Sequence, residues 1–347
     1  MQHVESVKCT EENSAKQSPP LQETQTRYRK HFPPATYAHH PNYPIPIRDL
    51  PPTISQLLAN LSRTTPPKAI TDKPHLDLLY FQPFLPSSLA RDLFRFLRSE
   101  LPFYRVKYTI RRGPAETSIV TPRFTTVFGV DDTSIFIPDP NSKIPDETNA
   151  TATSSLILAD SKTRIPLPAS DKKYHQRPRP IPPCLDLLRR AVESSTDDGT
   201  KYNFVLVNYY ATGDDSITYH SDDERFLGSN PNIASISLGG KRDFLLKHKP
   251  PTGSDADGIE GMKPLKFPLD SGDMMVMRGE TQSNWLHSVP KRKGGQGVLG
   301  RINITFRRAV VPGGTNNYYL YNVGDGGIFR WKEDEGRMIA AEKPVET

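Results

Sequence analysis

Cysteine is scarce in this chain of 347 residues, which contains only Cys9 and Cys184. The two lie far apart in the sequence, unlike the dense cysteines of a secreted disulfide scaffold or the close pairs of a cysteine metal site. We therefore expect a protein of a reducing compartment, without a disulfide framework.

Long hydrophobic runs are also missing from the sequence. No stretch approaches the roughly 18 apolar residues of a membrane-spanning helix. The N-terminus carries Glu5, Glu11 and Glu12 and lacks the apolar core of a secretory signal. We expect neither a membrane partner nor secretion.

Apolar residues make up only 35% of the chain, whereas its 34 prolines are about twice the usual share of roughly 5%. Residues 1–50 are polar and Pro-rich with little apolar periodicity, so we expect a disordered tail. Residues 131–175, rich in Pro, Ser, Thr and Asp, are a predicted flexible insertion. The folded part is then a single domain over 51–310, and the aromatic residues of the extension 311–347 predict that it is partly packed.

The formal net charge of +6, with a pI of about 9.1, is the first hint of a partner. A basic balance favours a polyanion such as nucleic acid. An ordinary basic soluble protein explains the charge equally well, so the charge alone does not decide.

Residues 76–130 hold a predicted strand, an amphipathic helix and a hairpin, and the second half of the domain is rich in β-branched and aromatic residues. Runs of these residues, separated by Gly and Pro, lie at 203–210, 233–238, 243–247, 273–278 and 300–308. Short strands at this spacing predict an antiparallel sandwich or barrel. The expected fold class is mainly β with flanking helices (α+β).

One His-x-Asp pair, His220 and Asp222, follows a predicted strand. In extended chain the residues i and i+2 point to the same side, so an imidazole and a carboxylate can converge there. A second histidine would complete the facial triad that leaves open positions on Fe(II). His248 lies in a basic stretch and His287 in an apolar one, which suits a fixed ligand better. Taken alone, a His-x-Asp pair more often consists of solvated loop residues than of metal ligands.

Strict alternation marks the segment from Arg301 to Arg307. One face of this predicted strand carries Arg301, Asn303, Thr305 and Arg307, and the other carries Ile302, Ile304 and Phe306. The polar face is either solvent-exposed or lines a pocket, where two arginines can hold the two ends of a dicarboxylate. A second strand places Asn208 and Tyr210, two neutral donors for carboxylate oxygens, on a shared face.

Several motifs together resemble the AlkB family of Fe(II)/2-oxoglutarate-dependent dioxygenases, especially its eukaryotic DNA-repair homologues. The matching segments, in family order, are Asn203–Tyr210, His220–Glu224, Ile233–Gly239, Arg242–Phe244, His287–Pro290 and Arg301–Arg307. Upstream, Pro122–Arg123 and Phe128–Gly129 resemble the family's nucleotide-recognition region. The likeness covers roughly residues 76–308 without the insertion.

The resemblance implies a double-stranded β-helix (jelly roll) over 200–308, with a nucleotide-recognition lid over 76–130. It implies that His220, Asp222 and His287 bind Fe(II), and that 2-oxoglutarate and O₂ are co-substrates. It also implies that Arg301 and Tyr210 hold the distal carboxylate of 2-oxoglutarate, while the polar residues nearer the metal face its other end. Those residues are Asn208, Asn303 and Arg307, and Thr305 on the same face of the strand is a further candidate for binding the co-substrate.

The implied reaction is oxidative demethylation of N-alkylated bases of the 1-methyladenine and 3-methylcytosine type in DNA. Arg123, Phe128, Asp223 and Glu224 are the substrate-contact candidates, and Lys291, Arg292 and Lys293 are placed to touch phosphates. Such an enzyme is expected to be a monomer in the nucleus or, second, the cytoplasm. RNA- or protein-directed oxygenation and an inactive nucleic-acid-binding homologue stay open as alternatives.

Overall fold

The computed structural model describes residues 35–61, 66–113, 115–140, 156–168, 171–250, 259, 261–292, 300–324 and 326–341. The helices of this part are α1 (Pro52–Ala59), α2 (Ser87–Glu100), α3 (Pro183–Thr196), α4 (Thr281–Asn284) and α5 (Asn316–Asn322), with a 3-10 turn at Arg225–Leu227. Among these helices, none is long and apolar enough to cross a membrane.

The strands before the central core are β1 (Tyr37–Ala38), β2 (Ile47–Arg48), β3 (Lys68–Ile70), β4 (Leu78–Phe81), β5 (Phe103–Tyr104), β6 (Lys107–Arg112), β7 (Ala115–Val120), β8 (Phe124–Gly129), β9 (Ser134–Pro138) and β10 (Leu156–Asp160). The later strands are β11 (Phe204–Tyr210), β12 (Ile217–His220), β13 (Ile233–Gly239), β14 (Arg242–His248), β15 (Leu265–Leu269), β16 (Met274–Met277), β17 (Trp285–Val289), β18 (Arg301–Arg307), β19 (Ile328–Lys332) and β20 (Arg337–Ala341).

Two antiparallel sheets make up the core of the molecule. The large sheet has the order β20-β19-β5-β8-β11-β18-β13-β16-β4-β3, and the small one has the order β12-β17-β14-β15. From β11 to β18 successive strands alternate between the two sheets, except for the hairpin β14–β15 in the small sheet, as in a jelly roll. The predicted mainly β jelly-roll fold with flanking helices is confirmed.

Two apolar clusters pack against opposite faces of the large sheet. One lies under the helices and includes Leu93 of α2, Leu188 of α3 and Ile304 of β18. The other combines residues of both sheets, such as Leu206 of β11 and Leu246 of β14. Because both faces are covered, all seven residues of β11 and of β18 are buried. The polar face of β18 is therefore inside the protein, and its solvent-exposed interpretation is wrong.

The N-terminal tail differs from its prediction where it is described. Residues 35–50 contain the hairpin β1–β2, and Tyr43, Ile47 and Leu50 are buried in the helix-side core. The Tyr43 hydroxyl donates to the Pro180 carbonyl at 2.8 Å. Single aromatic and aliphatic anchors hold this segment, without the periodicity that would have revealed it. Residues 1–34 lie outside the described residues.

The insertion 131–175 also differs from the predicted flexible loop. Its described part contains the antiparallel pair β9–β10, with Ile137 opposite Ile157. Asp131 accepts a hydrogen bond from the Tyr174 hydroxyl at 2.7 Å, and the Lys173 ammonium donates to Ser134 Oγ, also at 2.7 Å. These bonds close the two ends of the insertion on each other, while residues 141–155 lie outside the described part.

Residues after 310 continue the fold. Strand β19 pairs with β5 and β20, which places both at one edge of the large sheet. Helix α5 is fixed by the Tyr319 hydroxyl, which donates to the Gly129 carbonyl at 2.8 Å, and by Thr125 Oγ1, which donates to the Asn322 carbonyl at 2.7 Å. The compact body thus begins at residue 35 and includes the described part of the C-terminal extension, up to residue 341.

Candidate metal centre and active site

His220, Asp222 and His287 come together at one end of the small sheet. His220 ends β12 and lies directly opposite His287 of β17, and their rings are 4.2 Å apart, centroid to centroid. Asp222 follows two residues later, and one ligand atom from each of the three lies within 4.8 Å of the others. Two imidazoles and one carboxylate at this separation could hold a divalent metal ion.

Asp222 is held at several points. Its backbone N–H donates to Gln282 Oε1 at 2.9 Å, and its Oδ2 accepts a hydrogen bond from Arg307 Nη2 at 2.6 Å. Burial alone would raise the pKa of the carboxyl, but Arg307 and the two histidines bring that pKa well below its usual value. Asp222 is therefore ionised, as a metal ligand must be.

The histidines are suited to the same task. Burial, together with the neighbouring His220, lowers the pKa of His287 to about 3, so its ring is neutral at physiological pH. His287 Nδ1 is buried and has no hydrogen-bond partner among the described residues. His220 Nδ1 lies 2.8 Å from the Thr218 carbonyl, a contact that fixes its ring. The rival His248 lies 3.3 Å from His75 instead.

Arg301 lies in the interior, opposite Tyr210 on the neighbouring strand β11. Arg301 is 1% exposed, and its guanidinium carbon lies 5.4 Å from the centre of the Tyr210 ring. Nη2 donates to Ser237 Oγ at 2.8 Å, but Nε and Nη1 have no partner within the described part of the chain. Burial lowers the pKa of Arg301 to about 10, so it stays charged. A buried cation with free donors fits an anionic ligand.

The remaining polar residues of β18 face the same interior. Asn303 lies opposite Asn208, and its amide donates to Ser235 Oγ at 2.8 Å. Thr305 Oγ1 donates to Asn303 Oδ1 at 3.3 Å. Asn208 Oδ1 accepts a hydrogen bond from Arg123 Nε at 2.9 Å. The structure thus brings together all six residues predicted to face the co-substrate, with Arg301 and Arg307 at opposite ends.

A cavity of about 1200 Å³ connects the metal-ligand candidates and most of these polar residues with the surface. Arg301 is not among the residues that line it, but its neighbour Tyr210 is. The cavity is lined by the three metal-ligand candidates and by further polar residues, among them Asn208, Asn303, Arg307, Arg123 and Glu224. It is somewhat larger than typical small-molecule sites, which measure about 300–1000 Å³. It has room for a small dicarboxylate and a further substrate group.

Phe128 does not belong to this site, and its predicted substrate contact is wrong. It is fully buried on the helix-facing side of β8, where its ring meets Tyr43 edge-on at 5.9 Å. Every residue of β8 is buried, so the sequence pattern could not tell its cavity-facing side from its helix-facing side. Val127 packs on the opposite side, in the cluster between the sheets.

Asp223 and Glu224, the two acidic residues that follow Asp222, lie in different environments. Glu224 lines the cavity and accepts a hydrogen bond from the Tyr318 hydroxyl at 3.0 Å. Asp223 is not among the residues that line it, and its carboxylate pairs with the Lys249 ammonium at 2.7 Å. The pairing makes Asp223 a surface ion-pair residue, so of the two only Glu224 is placed to meet a substrate.

Three tyrosines of the site were not anticipated from the sequence. Tyr108 of β6 and Tyr321 of α5 line the cavity and meet edge-on at 6.2 Å. Tyr318, one helical turn before Tyr321, lies deeper and reaches Asp222. For Tyr318 and Tyr321 the only signal in the sequence was the group of aromatic residues after 310, which predicted packing rather than a site.

The basic residues after His287 lie on the surface. Lys291 and Arg292 are exposed beside Lys241 and Lys266, around a shallow pocket of about 290 Å³. Arg292 Nη1 donates to the Lys241 carbonyl at 2.6 Å. Lys293 lies outside the described residues.

Comparison with known proteins adds to this geometry. Residues 77–307 match the model of the 2OG-Fe(II) oxygenase superfamily. DNA oxidative demethylase ALKBH2 of Arabidopsis thaliana is 31% identical over 260 residues, which are 71% of this chain and 71% of the plant protein.

Alpha-ketoglutarate-dependent dioxygenase alkB homolog 3 of Rattus norvegicus is 41% identical over 125 residues, which are 36% of this chain and 41% of the rat protein. The protein of the same name from Homo sapiens is 38% identical over 142 residues, which are 41% of this chain and 48% of the human protein. The match thus spans less than half the length of these two relatives.

Proposed function

The chain belongs to the AlkB family of the 2OG-Fe(II) oxygenase superfamily, and we propose from this that it demethylates N-alkylated bases in DNA oxidatively. The proposed substrates are of the 1-methyladenine and 3-methylcytosine type. The observation that carries the proposal is the buried, partly unpaired Arg301 in the same interior as a His-Asp-His triad. A relative that the chain matches over 71% of both lengths is named a DNA oxidative demethylase, which supports DNA as the polymer.

His220, Asp222 and His287 would hold Fe(II), since two neutral imidazoles and one ionised carboxylate are its usual facial donor set. When bound, Fe(II) with 2-oxoglutarate and O₂ supplies the oxidising chemistry that converts an N-methyl group to one released as formaldehyde. The chain contributes position and shielding around that chemistry.

Arg301 and Tyr210 would bind the distal carboxylate of 2-oxoglutarate, and Arg307 with Asn208 and Asn303 would face the end nearer the metal. Arg301 Nε and Nη1 have no partner in the described part of the chain, and an N–H of Nη1 beside the second N–H of Nη2 can meet the two oxygens of a carboxylate. Ser237 Oγ holds Nη2, so the guanidinium is already oriented before the co-substrate binds.

A methylated base must leave its stack to reach a buried metal. Tyr108 and Tyr321 at the cavity mouth offer ring faces for stacking, and Glu224 offers an acceptor for a base amino group. Arg123 is tied to Asn208 and would face the substrate from the lid. Surface Lys291 and Arg292 would add phosphate contacts, which weaken as salt rises.

The test is succinate and formaldehyde release from methylated single-stranded DNA, duplex DNA and RNA at matched salt. We expect release with DNA, loss of release in His220→Ala, and retained release in His248→Ala. The second variant removes the rival histidine and serves as the matched control. If release occurred only with RNA or only with a peptide, that polymer rather than DNA would be the substrate. A wild-type chain that is inactive with Fe(II) and ascorbate present would leave only nucleic-acid binding.

A further inference from the structure

Tyr318 connects the C-terminal extension to the metal centre. It belongs to α5, which follows the residues 77–307 that match the superfamily. Its hydroxyl lies 3.3 Å from Asp222 Oδ1 and 3.0 Å from Glu224 Oε1. A residue beyond the matched domain therefore reaches the carboxylate that is the candidate metal ligand.

Both oxygens of Asp222 have a partner in this arrangement. Arg307 Nη2 donates to Oδ2 at 2.6 Å, and the Tyr318 hydroxyl is placed to donate to Oδ1. Hydrogen bonds to a ligating carboxylate fix its orientation and tune its basicity. Because Glu224 competes for the same hydroxyl proton, the two carboxylates share one donor.

The ring of Tyr318 is fixed by its own neighbours. It meets Phe226 at 5.2 Å and Phe204 at 5.6 Å, edge-on or nearly so. The Arg307 guanidinium lies 5.3 Å from its ring centre. One side chain thus contacts the metal carboxylate through its hydroxyl and the carboxylate's arginine partner through its ring face.

We propose that Tyr318 is a positioning residue of the metal centre: its hydroxyl orients the Asp222 carboxylate for the metal ion, and its ring supports Arg307. The inference rests on the metal site of the proposed function and is independent of the nucleic-acid substrate. It makes α5 a part of the active site, in addition to its packing against β8.

The test compares Tyr318→Phe with Tyr319→Phe in the full chain. Tyr318→Phe keeps the ring between Phe204 and Phe226 and removes only the hydroxyl. Tyr319→Phe removes a buried hydroxyl from the next residue, which bonds to Gly129 rather than to the metal centre. Both variants lose one hydroxyl from the same helix, so the comparison separates a loss at Asp222 from the loss of a buried hydroxyl elsewhere on α5.

The readout is the dissociation constant for Mn(II), from the free-ion signal in electron paramagnetic resonance, which needs no turnover. We expect Tyr318→Phe to weaken Mn(II) binding about 10-fold, the lower end for loss of a partner of a metal ligand. The KM for 2-oxoglutarate should change less than the affinity for Mn(II). Tyr319→Phe should lower the melting temperature and leave Mn(II) binding unchanged.

Equal Mn(II) affinity in wild type and Tyr318→Phe would overturn the inference, as would an equal loss in both variants. Tyr318→Ala, which also removes the ring, should in addition weaken 2-oxoglutarate binding through the loosened Arg307. A wild-type chain that binds no Mn(II) would overturn the metal site and this inference with it. Failure to act on methylated DNA with Mn(II) binding intact would affect only the proposed substrate.

Discussion

Arg307 and Asp222 form a buried ion pair, with Nη2 of the arginine 2.6 Å from Oδ2 of the carboxylate and both side chains about 4% exposed. The pair joins a residue proposed to face 2-oxoglutarate to a residue proposed to bind the metal. Burial alone would lower the pKa of Arg307, but the Asp222 charge raises it, so both partners stay ionised. Binding of the metal and of the co-substrate should therefore depend on each other.

Arg307→Gln tests the metal side of this coupling, namely the dependence of metal binding at Asp222 on Arg307. Removing one partner of a buried pair leaves an uncompensated charge, which typically costs about 3–5 kcal/mol. We expect a large drop in melting temperature without metal. Mn(II) should raise the melting temperature of the variant more than that of the wild type, because the ion replaces the missing cation beside Asp222.

The matched control is Arg308→Gln. Arg308 is the next residue, is 56% exposed in its side chain and pairs with Asp132 at 2.9 Å. Surface pairs contribute about 0–1 kcal/mol, so little change is expected. A similar effect of Mn(II) on Arg307→Gln and the wild type would contradict the coupling.

Arg301→Ala separates the co-substrate from the metal. Two charge-assisted hydrogen bonds contribute roughly 1.5–3 kcal/mol each, so the KM for 2-oxoglutarate should rise by roughly 100-fold or more. Mn(II) binding should stay nearly intact, since Asp222 bonds to Arg307 and not to Arg301. Arg301→Lys keeps the charge without the planar donor pair, so its KM for 2-oxoglutarate should lie between those of the wild type and Arg301→Ala. An unchanged dependence on 2-oxoglutarate would show that the carboxylate binds elsewhere.

The strands and the polar face of β18 could be predicted from the sequence, because alternation fixes which residues share a face. Arg301, Asn303 and Arg307 were placed correctly relative to one another for this reason. Phe128 was misplaced because β8 is buried on both faces, so its pattern does not distinguish the cavity from the helices. Tyr318 was missed because one helical turn in a segment rich in Asn and Tyr carries no periodic signal.

Phe128→Ala should act on stability rather than on substrate. Truncating a buried phenylalanine to alanine costs about 3–5 kcal/mol, and no described contact links its ring to the cavity. Denaturant unfolding should show this loss, and Phe128→Leu should show much less. At a temperature where both variants stay folded, their KM for methylated DNA should equal that of the wild type. A selective rise in that KM would restore Phe128 as a substrate residue.

Tyr321→Ala should weaken substrate binding and leave stability unchanged, the reverse of Phe128→Ala. Its side chain is 53% exposed at the cavity mouth, so the melting temperature should hardly change. Loss of a stacked base costs about 1–3 kcal/mol, which is a rise of roughly 5- to 150-fold in the KM for a methylated oligonucleotide.

The KM for 2-oxoglutarate should stay constant in Tyr321→Ala, and Tyr321→Phe should behave as the wild type. Leu320→Ala changes a neighbouring residue on α5 that is 43% exposed and lies outside the cavity lining, so it serves as the control. An equal rise in both alanine variants would point to the helix rather than to the ring.

The packing of the N-terminal segment can be tested through the effect of His40 on the pH dependence of the free energy of unfolding. Its ring meets Phe136 of β9 edge-on at 5.6 Å, and burial lowers its pKa from 6.5 to about 4. As the pH falls below 6.5, the unfolded chain binds the proton first, so the free energy of unfolding decreases between pH 6.5 and 4. At about 1.4 kcal/mol per pKa unit the loss is at most about 3 kcal/mol.

Other acidic groups also titrate in this window, so the measurement is a difference between variants. His40→Gln cannot gain the charge, and its free energy of unfolding should fall less steeply between pH 6.5 and 4 than that of the wild type. His39→Gln makes the same substitution at the exposed neighbour and serves as the control. Equal slopes in His40→Gln and the wild type would contradict the packing of the His40 ring against Tyr43 and Phe136, because that packing keeps the ring from water.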